Sequence, residues 1–202
     1  MHAPDYRDVM GILRLEDAAI CGMFRCGSRV YGTATPSSDH DFVAVLAGSD
    51  GRRDLVFGDG CNVVIHTRAS FQEALDHHSI FALECLFAPA PHRLKEPAPP
   101  FRFVLDRRKL ADAASERARA DYEKASKRLD EEPDASRKKA FHAIRVLWFA
   151  LQVAREGRIT DFEEAAELWE EIATAPISLS TWISYGIEVE ACAGELEELA
   201  LP

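Results

Sequence analysis

Gly27-Ser28-Arg29-Val30-Tyr31-Gly32, followed by Ser38-Asp39-His40-Asp41-Phe42-Val43-Ala44-Val45-Leu46, is the stretch around which the rest of the chain is read. It has the form of a glycine turn after a strand, a short polar connection, and a second strand that opens on two acids. Asp39 and Asp41 are two residues apart, so on a strand both carboxylates point to one face. Two adjacent carboxylates repel unless a cation lies between them, and oxygen ligands of this kind suit Mg²⁺ or Mn²⁺. Gly27 and Ser28 offer backbone N–H groups and a hydroxyl to a phosphate oxygen. A phosphate cradle beside a hard-metal site is the minimum equipment for phosphoryl or nucleotidyl transfer.

The joined pattern, Gly-Ser-Arg-x-x-Gly and then Ser-Asp-x-Asp opening an apolar strand, resembles the nucleotidyltransferase superfamily typified by DNA polymerase β. Within it the chain looks most like the small bacterial and phage nucleotidyltransferases. The motif covers Gly27 to Val45, and weaker likeness continues through Phe81–Phe87 and Lys138–Arg145. The resemblance implies an α+β fold: a small mixed β-sheet core with covering helices, followed by a C-terminal helical bundle. It implies that Gly27 and Ser28 hold the phosphates of a nucleoside triphosphate, while Asp39 and Asp41 bind the divalent ions. The family places a third carboxylate on a following strand. Here the matching run is Cys61-Asn62-Val63-Val64-Ile65-His66, so Asn62 stands where that acid is expected. An amide offers a carbonyl oxygen but neither charge nor basicity at neutral pH. Asp59 is the alternative acid if the register differs, although Gly58 and Gly60 beside it favour a turn.

Composition bounds the rest. The chain has 202 residues, enough for a small catalytic domain and a helical one, and 47% of them are hydrophobic. A formal net charge of −10 argues against tight, non-specific nucleic-acid binding, which needs Lys and Arg on phosphates. The five cysteines, Cys21, Cys26, Cys61, Cys85 and Cys192, form no Cys-x-x-Cys pair and read as reduced thiols rather than a zinc site or disulfide framework. No basic, apolar leader and no run of about 20 apolar residues is evident, so a cytoplasmic protein without membrane association is expected.

Along the chain, Asp5 is placed to cap a first helix carrying Val9, Met10, Ile12 and Leu13. Ala18 to Cys26 reads as a first strand, Arg29 to Ala34 as a short helix broken by Pro36, and Asp41 to Leu46 as a second strand. Gly48 to Gly51 is a turn cluster. Leu55–Phe57 and Cys61–Thr67 read as a hairpin, followed by helices from Ser70 and over Ile80 to Phe87. Five prolines between Pro89 and Pro100 mark the boundary between a core over residues 1–100 and a helical domain over residues 101–202. Beyond it, helices are expected over Asp106–Leu129, Asp134–Arg155, from Asp161, and over Ser178–Leu199.

Other candidate residues carry two readings each. Arg29 is either a phosphate contact or a solvated first-turn residue, and Ser38 either serves substrate binding or closes its own loop. His66 shares a strand face with Asn62 and is either an assisting ligand or base, or a satisfied histidine at a strand end. Lys139, His142 and Arg145 lie three apart on one side of a helix. The resemblance implies that this side faces a catalytic cleft, where Lys139 or Arg145 neutralises triphosphate charge; on composition alone it is an ordinary basic helix turn. His77 and His78 read as surface residues.

The leading functional expectation is a metal-dependent nucleotidyltransferase. It would move a nucleoside monophosphate from a triphosphate to a hydroxyl of RNA, of a protein or of a small molecule, releasing pyrophosphate. Arg107, Arg108 and Lys109 form the short basic face that keeps RNA open as a partner. A catalytically impaired nucleotide-binding or antitoxin-like interaction module is the alternative, on the strength of Asn62.

Overall fold

The computed structural model describes residues 4–48, 55–58 and 60–201, with the backbone alone for 55–58. The fold is mixed α+β, and the chain divides into two compact units. One comprises the residues up to Asp76 together with Phe81–Val104; the other comprises His77–Ile80 and the residues from Leu105 onward.

The first unit is built on a five-stranded mixed sheet in the order β3-β4-β2-β1-β5: β1 (Ile20–Cys26), β2 (His40–Leu46), β3 (Leu55–Gly58), β4 (Cys61–Thr67) and β5 (Arg93–Lys95). Strands β1 and β2 run antiparallel, β2 and β4 parallel, and β3 forms an antiparallel hairpin with β4. Alternation assigns the two faces, with a bulge between Ile20 and Gly22 shifting it once in β1. Ile20, Met23, Phe42, Ala44, Cys61 and Val63 are all nearly or fully buried on one face with Val9 of helix α1 (Tyr6–Leu13). Asp5 starts that helix through a capping box, accepting from the Arg7 and Asp8 amides. On the other face Phe24 stacks on Phe71 at 5.8 Å, and Phe71 packs on Phe101 at 4.7 Å. Phe71 belongs to α2 (Arg68–Asp76), which with α3 (Ile80–Phe87) lies after β4 in the chain.

Two local features depart from the sequence reading. The short helix expected after Arg29 is a single 3-10 turn at Gly27–Arg29, because the chain turns out of helical geometry at Gly32 (φ 75°). Strand β5 was not anticipated: three residues are too few to show an alternating pattern. The turn cluster at Gly48–Gly51 lies largely outside the described residues, as do Asp59 and the first three residues.

The second unit is helical: α4 (Arg107–Lys127), α5 (Pro133–Glu156), α6 (Glu164–Thr174) and α7 (Leu179–Leu199). Asp106 caps α4 by accepting from the Arg108 and Lys109 amides, and Gly157 closes α5 at φ 74°. Arg107 donates to the Ala154 carbonyl at 2.9 Å, while Lys139 meets Asp121 at 3.4 Å. The first joins the start of α4 to the end of α5 and the second joins the later half of α4 to the early turns of α5, so the two helices form an antiparallel hairpin. Small residues Ala111, Ala114, Ala118 and Ala125 on α4 are buried, which explains how a helix with few large apolar side chains packs tightly. Contrary to the surface position expected for it, His78 is buried, 2% exposed, and its Nε2 accepts the Asp106 amide at 2.9 Å, so it helps fix the start of α4. Among the described residues no helix is long and apolar enough to cross a membrane.

Candidate active site

The ends of the three inner strands, β1, β2 and β4, meet at one end of the sheet. The antiparallel ladder sets Cys26, the last residue of β1, opposite Asp41; the parallel ladder sets Asp41 opposite Asn62 near the start of β4. Side-chain alternation then brings the Asp41 and Asn62 side chains to the same face. The Asn62 amide donates from Nδ2 to Asp41 Oδ1 at 2.9 Å and reaches Asp39 Oδ2 at 3.4 Å. One –NH₂ group has two donors, and here both carboxylates share it. The structure thus brings Asp39, Asp41 and Asn62 together, with Asn62 at the third corner.

The glycine turn closes against this cluster. Gly27 sits at φ 75°, and a Cβ there would lie 3.1 Å from Asp41 Cγ and collide with the carboxylate. Only glycine permits both that conformation and that approach. The Gly27 and Ser28 carbonyls turn inward and accept from Val30 N (2.9 Å) and Thr33 N (3.0 Å). Because C=O and N–H point to opposite sides of a trans peptide, the Ser28 and Arg29 amides are directed away from the turn interior. Beneath the turn, the Tyr31 hydroxyl donates to Glu84 Oε2 at 2.6 Å, with both side chains buried. Tyr31 lies in the motif and Glu84 in the Phe81–Phe87 likeness, but nothing in the sequence marks their pairing across 53 residues.

Arg29 and Ser38 shape the connection. The Arg29 guanidinium donates to the Ser38 carbonyl at 2.6 Å and to the Asp39 carbonyl at 3.3 Å. The Ser38 hydroxyl accepts from Thr35 N at 2.9 Å. In this geometry both residues hold the loop that presents Asp39. His40, between the two acids, alternates to the opposite face and stacks on Phe42 at 6.4 Å. Burial first, and then Arg29 and Arg25, hold its pKa below the usual histidine value, so the ring is neutral at pH 7.

The donor set can be tested against a hard divalent cation. Among the described residues no group of three or more His, Cys, Asp and Glu side chains assembles, so the protein offers two charged oxygen ligands, Asp39 and Asp41. Turning the Asn62 amide over would add a neutral oxygen. Mg²⁺ is commonly held by one or two carboxylates, with water and substrate phosphates completing the octahedron. The residues therefore fit an ion that arrives with a triphosphate better than one caged by protein alone.

The remaining sequence candidates lie elsewhere. His66 is four residues beyond Asn62 on the same strand face, roughly 13 Å further at the strand rise. It stacks on Phe81 at 5.2 Å and meets Phe71 edge-on at 6.0 Å, within the aromatic layer over the sheet. Asp59 is outside the described residues. Lys139 and Arg145 belong to the helical unit. There Lys139 pairs with Asp121, and Arg145, 6% exposed, lies over the Phe149 and Phe141 rings at 5.2 and 5.9 Å. Arg107 is committed to the Ala154 carbonyl, and Arg108 pairs with Asp112 at 3.5 Å. No family model matches this chain, and no curated protein sequence matches it.

Proposed function

We propose that the first unit is a metal-dependent nucleotidyltransferase core of the DNA polymerase β type, acting on a nucleoside triphosphate and an acceptor hydroxyl. The single observation that carries this reading is the Asp39–Asp41–Asn62 cluster, with the Gly27 turn pressed against Asp41. A bound Mg²⁺ or Mn²⁺ would supply charge neutralisation for the triphosphate and stabilisation of departing pyrophosphate. Asp39 and Asp41 would bind that ion, and the Ser28 and Arg29 amides with the Ser28 hydroxyl would orient the phosphates. Arg29 and Ser38 would position the Asp39 loop, and the Tyr31–Glu84 bond would brace the turn. The acceptor is an RNA end, a protein hydroxyl or a small molecule, and the expected location is the cytoplasm.

Asn62 favours a second reading. Its neutral amide cannot take a proton from an acceptor hydroxyl at pH 7, and it lowers the charge available to a second ion. A nucleotide-binding or antitoxin-like module with impaired chemistry follows from that one residue. The two readings separate by pyrophosphate release from the four nucleoside triphosphates with Mg²⁺ or Mn²⁺. Release that falls by 100-fold or more in folded Asp39→Ala and Asp41→Ala variants, as about 3 kcal/mol of lost transition-state stabilisation requires, supports the enzyme. Metal-dependent triphosphate binding without any release supports the module.

A further inference from the structure

The α4–α5 hairpin carries an open cavity of about 550 Å³, and its charge is unlike that of the chain around it. Lys124 and Arg128 approach from the end of α4; Ser136, Lys138, Lys139 and His142 approach from the first turns of α5. No Asp or Glu lines it among the described residues, although the whole protein carries a net charge of −10. The acid behind it, Asp121, is 1% exposed and is held by Arg117 at 2.6 Å as well as by Lys139. Its charge is therefore matched; Arg128 pairs with Glu132 at 3.7 Å, and Lys124 and Lys138 leave the cavity wall its cationic surplus.

Two polar groups convert that surplus from a solvated surface into a built site. Ser136 is 1% exposed and lines the cavity, and its Oγ has no hydrogen-bond partner among the described residues. An unsatisfied buried hydroxyl is costly, and a ligand oxygen would satisfy it. His142 Nδ1 lies 3.5 Å from Arg145 Nη2. A guanidinium can only donate, so Nδ1 accepts and the imidazole carries its proton on Nε2, where it remains a donor. A serine hydroxyl, an imidazole N–H and four cationic side chains are the complement of a phosphate group.

We propose that this cavity in the helical unit binds the phosphate group of a small phosphorylated molecule. The volume lies within the ordinary range for small-molecule sites, roughly 300–1,000 Å³, and the acidic balance of the chain disfavours a polynucleotide. The inference goes beyond nucleotidyl transfer and is independent of it: it uses neither the Asp39–Asp41 pair nor a divalent ion.

The test is calorimetric titration of the full chain with inorganic pyrophosphate in EDTA, which silences any metal-dependent triphosphate site. Wild type is expected to bind, Lys138→Ala to bind at least 5-fold more weakly, and Arg158→Ala, which removes an exposed charge away from the cavity lining, to match wild type. Ser136→Ala is expected to bind at least 3-fold more weakly while the free variant melts no lower than wild type, because the orphaned hydroxyl is gone. A purely structural serine would show the opposite pair of results. Absence of pyrophosphate binding, equal weakening by Arg158→Ala and Lys138→Ala, or undiminished binding by Ser136→Ala would overturn the proposal. Binding of a short RNA oligonucleotide more tightly than pyrophosphate, weakened by the same variants, would overturn the small-molecule assignment.

Discussion

Replacing Asn62 with aspartate sets the electrostatics of the strand-end cluster against its hydrogen bonding. In the native chain Asn62 donates to Asp41 at 2.9 Å and reaches Asp39 at 3.4 Å. Asn62→Asp removes both donors and puts a third carboxylate at nearly the same separations. Two like charges about 3 Å apart repel by roughly 1.4 kcal/mol at the dielectric of water and about 5 kcal/mol at an effective value of 20. The cluster is part-buried to exposed, so screening keeps each pair near the lower figure. Two such pairs, plus the lost hydrogen bonds, predict a loss of about 2–4 kcal/mol at pH 7 without divalent ions. A cation bound among three carboxylates reverses the sign, so Mn²⁺ or Mg²⁺ should restore most of the loss. The assay is urea denaturation of both proteins in EDTA and in millimolar Mn²⁺, comparing midpoints at constant slope. A variant as stable as wild type in EDTA, or one whose midpoint ignores the ion, would refute the reasoning that these three side chains share one site.

Gly27→Ala should cost about 1–3 kcal/mol, from the left-handed backbone and the collision with Asp41, and thermal melting measures it. Gly186→Ala should cost a similar ~1–3 kcal/mol in the helical unit. The new methyl would meet Tyr122 Oη at 2.7 Å and Cζ at 3.0 Å, and the ring is pinned by its bond to the Trp182 carbonyl; denaturation of this single variant checks it. His142 is held neutral by burial and, secondarily, by Arg145 and Lys139, with its pKa lowered to about 3. Below its unfolded pKa of about 6.5 the unfolded chain takes up a proton that the folded chain refuses. Stability from this residue is thus full above pH 6.5 and lost as pH falls toward 3, on the order of 3 kcal/mol by pH 4. His142→Gln should flatten the stability–pH curve in that window, and an unchanged curve would contradict the assignment.

Much of the architecture was legible because local chemistry marks it. Asp5 and Ser178 announce their helices through short polar side chains that satisfy first-turn amides, and Gly157 ends α5 where only a left-handed residue closes the turn. The short apolar, β-branched runs Phe42–Leu46 and Val63–Ile65 mark buried strands, and their parallel pairing places Asp41 opposite Asn62. What stayed hidden depends on distant partners. His78 looks like any polar residue after a helix, yet the Asp106 amide, 28 residues on, buries it. Arg29 carries no sign that its guanidinium will be spent on the Ser38 and Asp39 carbonyls. The alanine face of α4 reads as weakly amphipathic because close helix packing needs small residues, which hydrophobic periodicity barely registers.

The central claim is that Asp39 and Asp41 hold a triphosphate through a divalent ion. Calorimetric titration of the wild-type chain with non-hydrolysable nucleoside triphosphate analogues, in Mg²⁺ and then in EDTA, tests it most directly when repeated on Asp39→Ala. The account predicts binding in Mg²⁺ that EDTA abolishes and that Asp39→Ala weakens by at least 10-fold. Binding that persists unchanged in EDTA and in Asp39→Ala, or no binding of any of the four analogues, would contradict it.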